Sequence, residues 1–243
     1  MTKCILADKR KGGCAECPTQ CQHRISLHGL NGEGGRVGAA GVPKDYRYYT
    51  LANSPAREGQ AKIYGQLEAY VKTFERQFDA DADRIKSLYL VSESPGTGKT
   101  TSATSLLNEY LIAHYIGSLK RGLQPKQRPA LFLDVNEMQT DYNLASMTND
   151  EAGLAKVTVT MRKAMAVDFL VCDDVGVRDS TPSFKSLVHA IINARTTNSL
   201  PTIYTSNLTI DEMERVFDSR LADRMRDQCL SIFFTGSSKR GRR

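Results

Sequence analysis

The segment Ser94-Pro95-Gly96-Thr97-Gly98-Lys99-Thr100-Thr101 combines residue types suited to one task, the holding of a polyphosphate. Gly96 and Gly98 let the backbone turn sharply and bring its N–H groups against phosphate oxygens. Lys99 would reach the β and γ phosphates as a point charge, and the Thr100 hydroxyl would ligate the Mg²⁺ that bridges them. Pro95, Gly96, Thr97, Gly98, Lys99, Thr100 and Thr101 are therefore the predicted nucleotide-binding residues. Glu93 stands where the complete phosphate-loop pattern has its first glycine, and its side chain is expected to point outward.

Such a loop works only between a strand and a helix. The apolar run Leu88-Tyr89-Leu90-Val91 predicts a buried strand before it, and Leu106, Leu107, Tyr110, Leu111 and Tyr115 predict a helix over 100–118 after it. The positive end of that helix's dipole would face the phosphates.

A second chemical group follows Phe169-Leu170-Val171-Cys172, where Asp173 and Asp174 end an apolar strand. Adjacent carboxylates at a strand tip are costly unless they act on a cation or a water. Asp173 is expected in the Mg²⁺ shell. Asp174 would orient and deprotonate the attacking water, with a shorter side chain than the commoner Glu. The alternative is a turn-initiating Asp pair before Gly176. The next strand, Thr202-Ile203-Tyr204-Thr205, delivers Asn207, whose amide could bond both the water and the γ-phosphate, or else form an Asx turn or helix cap before Thr209. Arg220 and Arg224 lie four residues apart on one predicted helix face. They suit either insertion into a neighbouring copy's site or a solvated basic helix paired with Asp223 and Asp227.

Cys4, Cys14, Cys17 and Cys21 have the spacing C-x9-C-x2-C-x3-C, with His23 two residues beyond. In a reducing compartment this pattern predicts a tetrahedral zinc site of four thiolates, His23 being a possible substitute ligand. An iron–sulfur cluster uses the same thiolates, and free thiols are the third reading. Cys172 and Cys229 are predicted to be core residues.

The chain has 243 residues and a net charge of +6, which favours an anionic partner such as nucleic acid. No apolar stretch approaches the ~20 residues of a membrane span, and the N-terminal residues lack the order of a secretory signal, so a cytoplasmic protein is expected. The predicted organisation is a Cys-rich module over 1–28, a flexible Gly-rich linker over 29–57, an ATPase domain over 58–236 and a basic tail over 237–243. A helix is predicted within 58–78, and one over 182–195 with Thr181 as N-cap and Pro182 in its first turn. Short strands alternating with helices predict a parallel sheet covered on both faces.

Taken together, residues 94–100, 169–176, 201–208 and 220–225 resemble the bacterial replicative-helicase loaders of the DnaC/DnaI type, within the AAA+ ATPases. The resemblance spans about Lys86 to Phe234. It implies an α/β P-loop core with a five-stranded parallel sheet flanked by helices, no C-terminal helical lid domain, and a small N-terminal metal-binding module that contacts the helicase. It further implies Walker A at Lys99 and Thr100, Walker B at Asp173 and Asp174, sensor 1 at Asn207, and an arginine finger at Arg220. The implied activity is ATP hydrolysis by subunits assembled in a ring, spiral or filament, which place a hexameric DnaB-type helicase on single-stranded DNA. A transposition-helper ATPase of the IstB type, a small-molecule P-loop kinase and a metal-stapled adaptor with a decayed ATP site are the alternatives.

Overall fold

The computed structural model describes residues 4–9, 21–176, 180–236 and 238. They form two compact units, Met1–Ile85 with Thr100–Phe132, and Lys86–Lys99 with Leu133–Arg243.

The first unit contains α1 (Gln22–His28), α2 (Gly35–Ala39), α3 (Ala61–Val71), which continues in tighter turns over Lys72–Phe78, and most of α4 (Lys99–Lys120). α4 matches the predicted helix and extends it by two residues toward Lys120. Its middle is so enclosed that Leu106, Leu107, Asn108, Glu109, Tyr110 and Leu111 are all buried. Polar groups at that depth must be satisfied. The Asn108 amide donates to the carbonyls of Tyr46 and Tyr49 at 3.1 and 2.8 Å. Glu109 accepts from Lys9 at 2.8 Å and from the Leu51 N–H at 3.2 Å.

The flexible linker predicted over 29–57 is not one. Val37, Ala40, Val42 and Leu51 are buried, and the Arg36 guanidinium donates to the carbonyls of Pro125, Lys126 and Ser26, each at 2.9 Å, while stacking over Tyr115. The glycines serve close approach instead of freedom. A Cβ on Gly35, which has φ +60°, would lie 2.4 Å from the Leu27 carbonyl carbon, and one on Gly38 would lie 2.4 Å from the Glu33 oxygen.

The second unit is built on the sheet. The strands are β1 (Ser87–Val91), β2 (Ala130–Asp134), β3 (Phe169–Asp173), β4 (Thr202–Ser206) and β5 (Cys229–Phe233), in the order β2-β3-β4-β1-β5. β2 crosses the division, with only Leu133 and Asp134 in this unit. The pairs β1–β4, β1–β5 and β3–β4 are parallel, with Leu88 opposite Ile203 and Val171 opposite Ile203. β1, β3 and β4 are buried along their whole length, which is why they read as unbroken apolar runs; the edge strand β5 exposes Leu230 and Phe233.

The helices of this unit are α5 (Val135–Thr148), α6 (Glu151–Ala166), α7 (Pro182–Thr197), α8 (Ile210–Val216) and α9 (Ser219–Gln228). Residues 136–167, to which no sequence pattern assigned a structure, form most of the hairpin of α5 and α6, turned through Asn149 in the left-handed region. α7 begins as predicted, with the Thr181 hydroxyl accepting the Phe184 N–H and Pro182 in the first turn. Arg195 near its end is fully buried; it donates to the carbonyls of Ala164, Val167 and Pro201 and to the Thr202 hydroxyl, at 2.7–2.8 Å. Cys172 is fully buried, as predicted for a core residue, and burial pushes its thiol up to about 12; Cys229, at the start of the edge strand, is only half-buried and is not a core residue.

Candidate functional site

The carboxyl ends of β1, β3 and β4 bring the predicted chemistry together within the second unit. After β1 the chain turns through Gly96 at φ +76° and Gly98 at φ +102°, conformations that glycine accepts without strain. Lys99 is buried, and its ammonium donates to the Ser94 carbonyl at 3.4 Å and to Asn207 Oδ1 at 2.6 Å. Thr97 is buried too, and its hydroxyl oxygen has no hydrogen-bond partner among the described residues. A loop with a buried lysine and an unsatisfied hydroxyl fits a ligand rich in oxygen acceptors. Glu93 is exposed, as expected. Thr100 and Thr101 open α4 in the first unit, where their carbonyls accept from the Thr104 and Ser105 hydroxyls.

At the tip of β3, Asp173 is buried and Asp174 half-buried. Asp173 Oδ1 accepts from the Thr205 hydroxyl at 2.6 Å, and the same hydroxyl accepts the Asp174 N–H at 2.9 Å. Asp174 adopts φ +57°, and its Oδ2 accepts from the Asn136 amide at 3.3 Å. The turn that the alternative reading proposed does form, continuing to Gly176 at φ +74°, and it presents both carboxylates. A buried carboxylate held by a hydroxyl on the ladder's end suits a hard divalent cation.

Asn207 is not the cap. Thr209 takes that role for α8 in a full capping box with Glu212, which leaves the Asn207 amide on Lys99. The residues on either side of Asn207 are braced: the Ser206 hydroxyl donates to the Val175 carbonyl at 2.7 Å and accepts the Leu208 N–H at 3.0 Å, and the Tyr89 hydroxyl donates to the Leu208 carbonyl at 2.6 Å. Sequence reasoning missed Thr205, Ser206, Tyr89 and Asn136. Hydroxyls in apolar strands were the available signal for the first three.

On α9 the arginines divide. Arg226 pairs with Asp211, Glu214 and Asp223, and Arg224 bonds Asn193. Asp223 is thus a partner of Arg226. Arg220 is exposed and has no ion pair or hydrogen bond from its guanidinium among the described residues. Asp218 caps α9 through the Leu221 N–H and holds His189 Nε2 at 3.1 Å. The backbone hydrogen bond is the main reason its carboxyl lies below the usual range.

The predicted zinc site is not assembled by the described residues, which contain no group of three or more His, Cys, Asp or Glu able to hold a metal. Cys14 and Cys17 lie outside the described residues. Cys4, Cys21 and His23 line one cavity of about 640 Å³ in the first unit, and a ring nitrogen of His23 is hydrogen-bonded to the Tyr115 hydroxyl at 3.0 Å. The basic residues 239–243 also lie outside the described residues, and no described helix is long and apolar enough to cross a membrane.

A parallel sheet in which the loop-bearing strand lies inside, beside β4 and β5, is the fold this chain shares with solved structures of replication proteins. The crystal structure of the DnaC helicase loader aligns with TM-score 0.57 and 18% identity, covering 79% of this chain and 100% of that one. The DnaI crystal structure aligns at 0.53 with 23% identity, covering 80% and 95%. The replication initiator DnaA, bound to AMPPCP and single-stranded DNA, aligns at 0.53 with 16% identity, covering 81% and 51%.

In sequence the chain resembles the replicative helicase loaders of the DnaC type. It is 28% identical to DnaC of Escherichia coli K12 over 182 residues, 73% of this chain and 65% of that protein. It therefore spans just under two thirds of the length of that relative. No family model matches the chain.

Proposed function

We propose that this chain is an ATP-hydrolysing loader that places a hexameric DnaB-type replicative helicase on single-stranded DNA in the cytoplasm, acting as an ATP-assembled oligomer. The observation that carries the reading is the 2.6 Å bond between Lys99 and Asn207, because it sets a phosphate-seeking ammonium and a water-orienting amide side by side at adjacent strand ends. Similarity to the replicative helicase loader DnaC supports a helicase as partner, and the likeness in fold to DnaA bound to single-stranded DNA supports DNA as the other.

In this reading the Gly96–Lys99 backbone and the Lys99 ammonium hold the β and γ phosphates, with Thr97, Thr100 and Thr101 beside them. Asp173 and Thr100 would hold Mg²⁺, which would supply neutralisation of phosphate charge. Asp174 takes a proton from water as its oxygen bonds to the γ-phosphorus, the bond to the ADP oxygen breaks, and Asn207 orients that water. Arg220 of a neighbouring copy stabilises the charge of the transition state, a role supported by its exposure and lack of a partner in its own chain among the described residues. A zinc staple of Cys4, Cys14, Cys17 and Cys21 at the helicase-binding end rests on their spacing and on the cavity shared by Cys4 and Cys21. Metal analysis of the purified protein tests it, with one zinc per chain expected.

Light scattering with ATP, single-stranded DNA and a DnaB-type helicase, alongside phosphate release, tests the function. Oligomers that form with ATP and join the helicase are expected, with Arg220→Ala lowering turnover about 10³-fold. A monomer indifferent to ATP, DNA and helicase overturns the loader reading. Co-purification with a transposase would transfer the same ATPase to transposition, and phosphorylation of a small acceptor by a monomer would make it a kinase.

A further inference from the structure

The site has a hydroxyl at its centre that neither the motifs nor the proposed mechanism uses. Thr205 is fully buried as the penultimate residue of β4, and its single Oγ1 makes two bonds of opposite sense: it donates to Asp173 Oδ1 at 2.6 Å and accepts the Asp174 N–H at 2.9 Å. Its own carbonyl accepts the Val175 N–H at 2.9 Å. Three consecutive residues of the carboxylate turn are thus held by one residue of the neighbouring strand. Two positions further on is Asn207, bonded to Lys99.

We propose that Thr205 is the positioning residue of the metal site: its hydroxyl aims the Asp173 carboxylate, holds the Asp174 backbone, and ties both to the strand that carries Asn207. This inference rests on the ATPase reading of the site. Three physical points carry it. The hydroxyl proton is committed to Asp173, so one carboxylate oxygen is fixed and the plane of the group is set. A lone pair of the same oxygen is committed to the Asp174 N–H, and that N–H stabilises a backbone conformation that non-glycine residues seldom adopt. A residue without a hydroxyl releases both at once, whereas serine keeps both. The methyl group of Thr205 has no part in either bond, and this separates positioning from packing.

The test compares Thr205→Val, which keeps shape, with Thr205→Ser, which keeps the hydroxyl. The readout is the affinity for a fluorescent ATP analogue in excess magnesium and again in EDTA. The expected result for Thr205→Val is an affinity in EDTA equal to wild type and a magnesium-dependent gain reduced about 10- to 100-fold, the usual range for losing a partner of a metal-binding carboxylate. Thr205→Ser should restore the gain. If wild type shows a magnesium-dependent gain and Thr205→Val shows the same gain, the inference fails while the ATPase reading stands. If Thr205→Ser loses the gain along with Thr205→Val, the hydroxyl does not suffice to aim the carboxylate and the inference fails. If wild type binds nucleotide in neither condition, the ATPase reading fails and takes this inference with it.

Discussion

The two units solve the same problem by different means. In the second, backbone N–H and C=O groups are satisfied by parallel ladders, and hydroxyls of Thr205, Ser206 and Tyr89 fasten the strand ends where the chemistry is expected. In the first, the segment from 21 to 57 has only short helices, so buried side chains reach the backbone directly: Arg36 to three carbonyls, Asn108 to two, Glu109 and His28 to one N–H each. Where regular structure is scarce, polar side chains inside the core do the work of a ladder. Such a region depends on individual residues more sharply than a sheet does.

Arg195 tests the opposite case, since it is a polar plug inside the sheet-built unit. Arg195→Met strands the carbonyls of Ala164 and Val167 and removes one of two donors from that of Pro201, and a loss of about 3–5 kcal/mol in unfolding free energy, read from urea melts, is expected. A loss below about 1 kcal/mol would show that the ladders suffice without it.

The His28 ring sharpens the contrast through pH. It accepts the Ile5 N–H at Nε2 and stacks on Tyr48, and burial, then Arg24, then Arg47, lowers its pKa from 6.5 to about 4. The unfolded chain therefore takes up a proton at higher pH than the folded one. Stability is full above about pH 6.5 and falls as the pH drops toward 4, by about 3 kcal/mol over the whole window. Thermal melts across this range should slope less steeply for His28→Gln than for wild type. Equal slopes would remove His28 as the cause.

Gly35→Ala should cost about 2 kcal/mol, from the strained φ and the contact with Leu27, and hydrogen exchange should speed up over 21–57 more than in β3 and β4. Uniform acceleration would erase the distinction between the units. The smallest effect belongs to Tyr89→Phe, which removes the bond to Leu208: about 1 kcal/mol in stability and a few-fold change in ATP turnover are expected.

The same contrast explains what was legible in the sequence. Unbroken apolar runs report buried strands and a period of 3.6 reports helices, so β1, β3, β4, α4 and α7 could be read, with Thr181 and Pro182 marking an end. Glycines in 29–41 look alike whether they loosen a chain or let it approach itself, because only the neighbours decide, and those neighbours are distant in sequence or set by the turn itself. The candidate site divides in the same manner. Lys99, Asp173 and Asn207 announce themselves by charge and motif. Thr205 sits inside an apolar run where a hydroxyl looks like an ordinary β-branched choice. The partnerless state of Arg220 among the described residues needed the positions of Asp211 and Glu214, which claim Arg226 in the fold together with Asp223.

The left-handed backbone at Asp174 bears on which residues that position can accommodate. Aspartate and asparagine tolerate such a conformation far better than longer or branched side chains, so the shortened carboxylate and the bent turn belong together. Asparagine would keep the outline of the turn and change only the charge. On the proposed ATPase function, Asp174→Asn is thereby the natural trap: a protein expected to close on its nucleotide yet be unable to spend it, so that any assembly it forms would stand still long enough to be imaged.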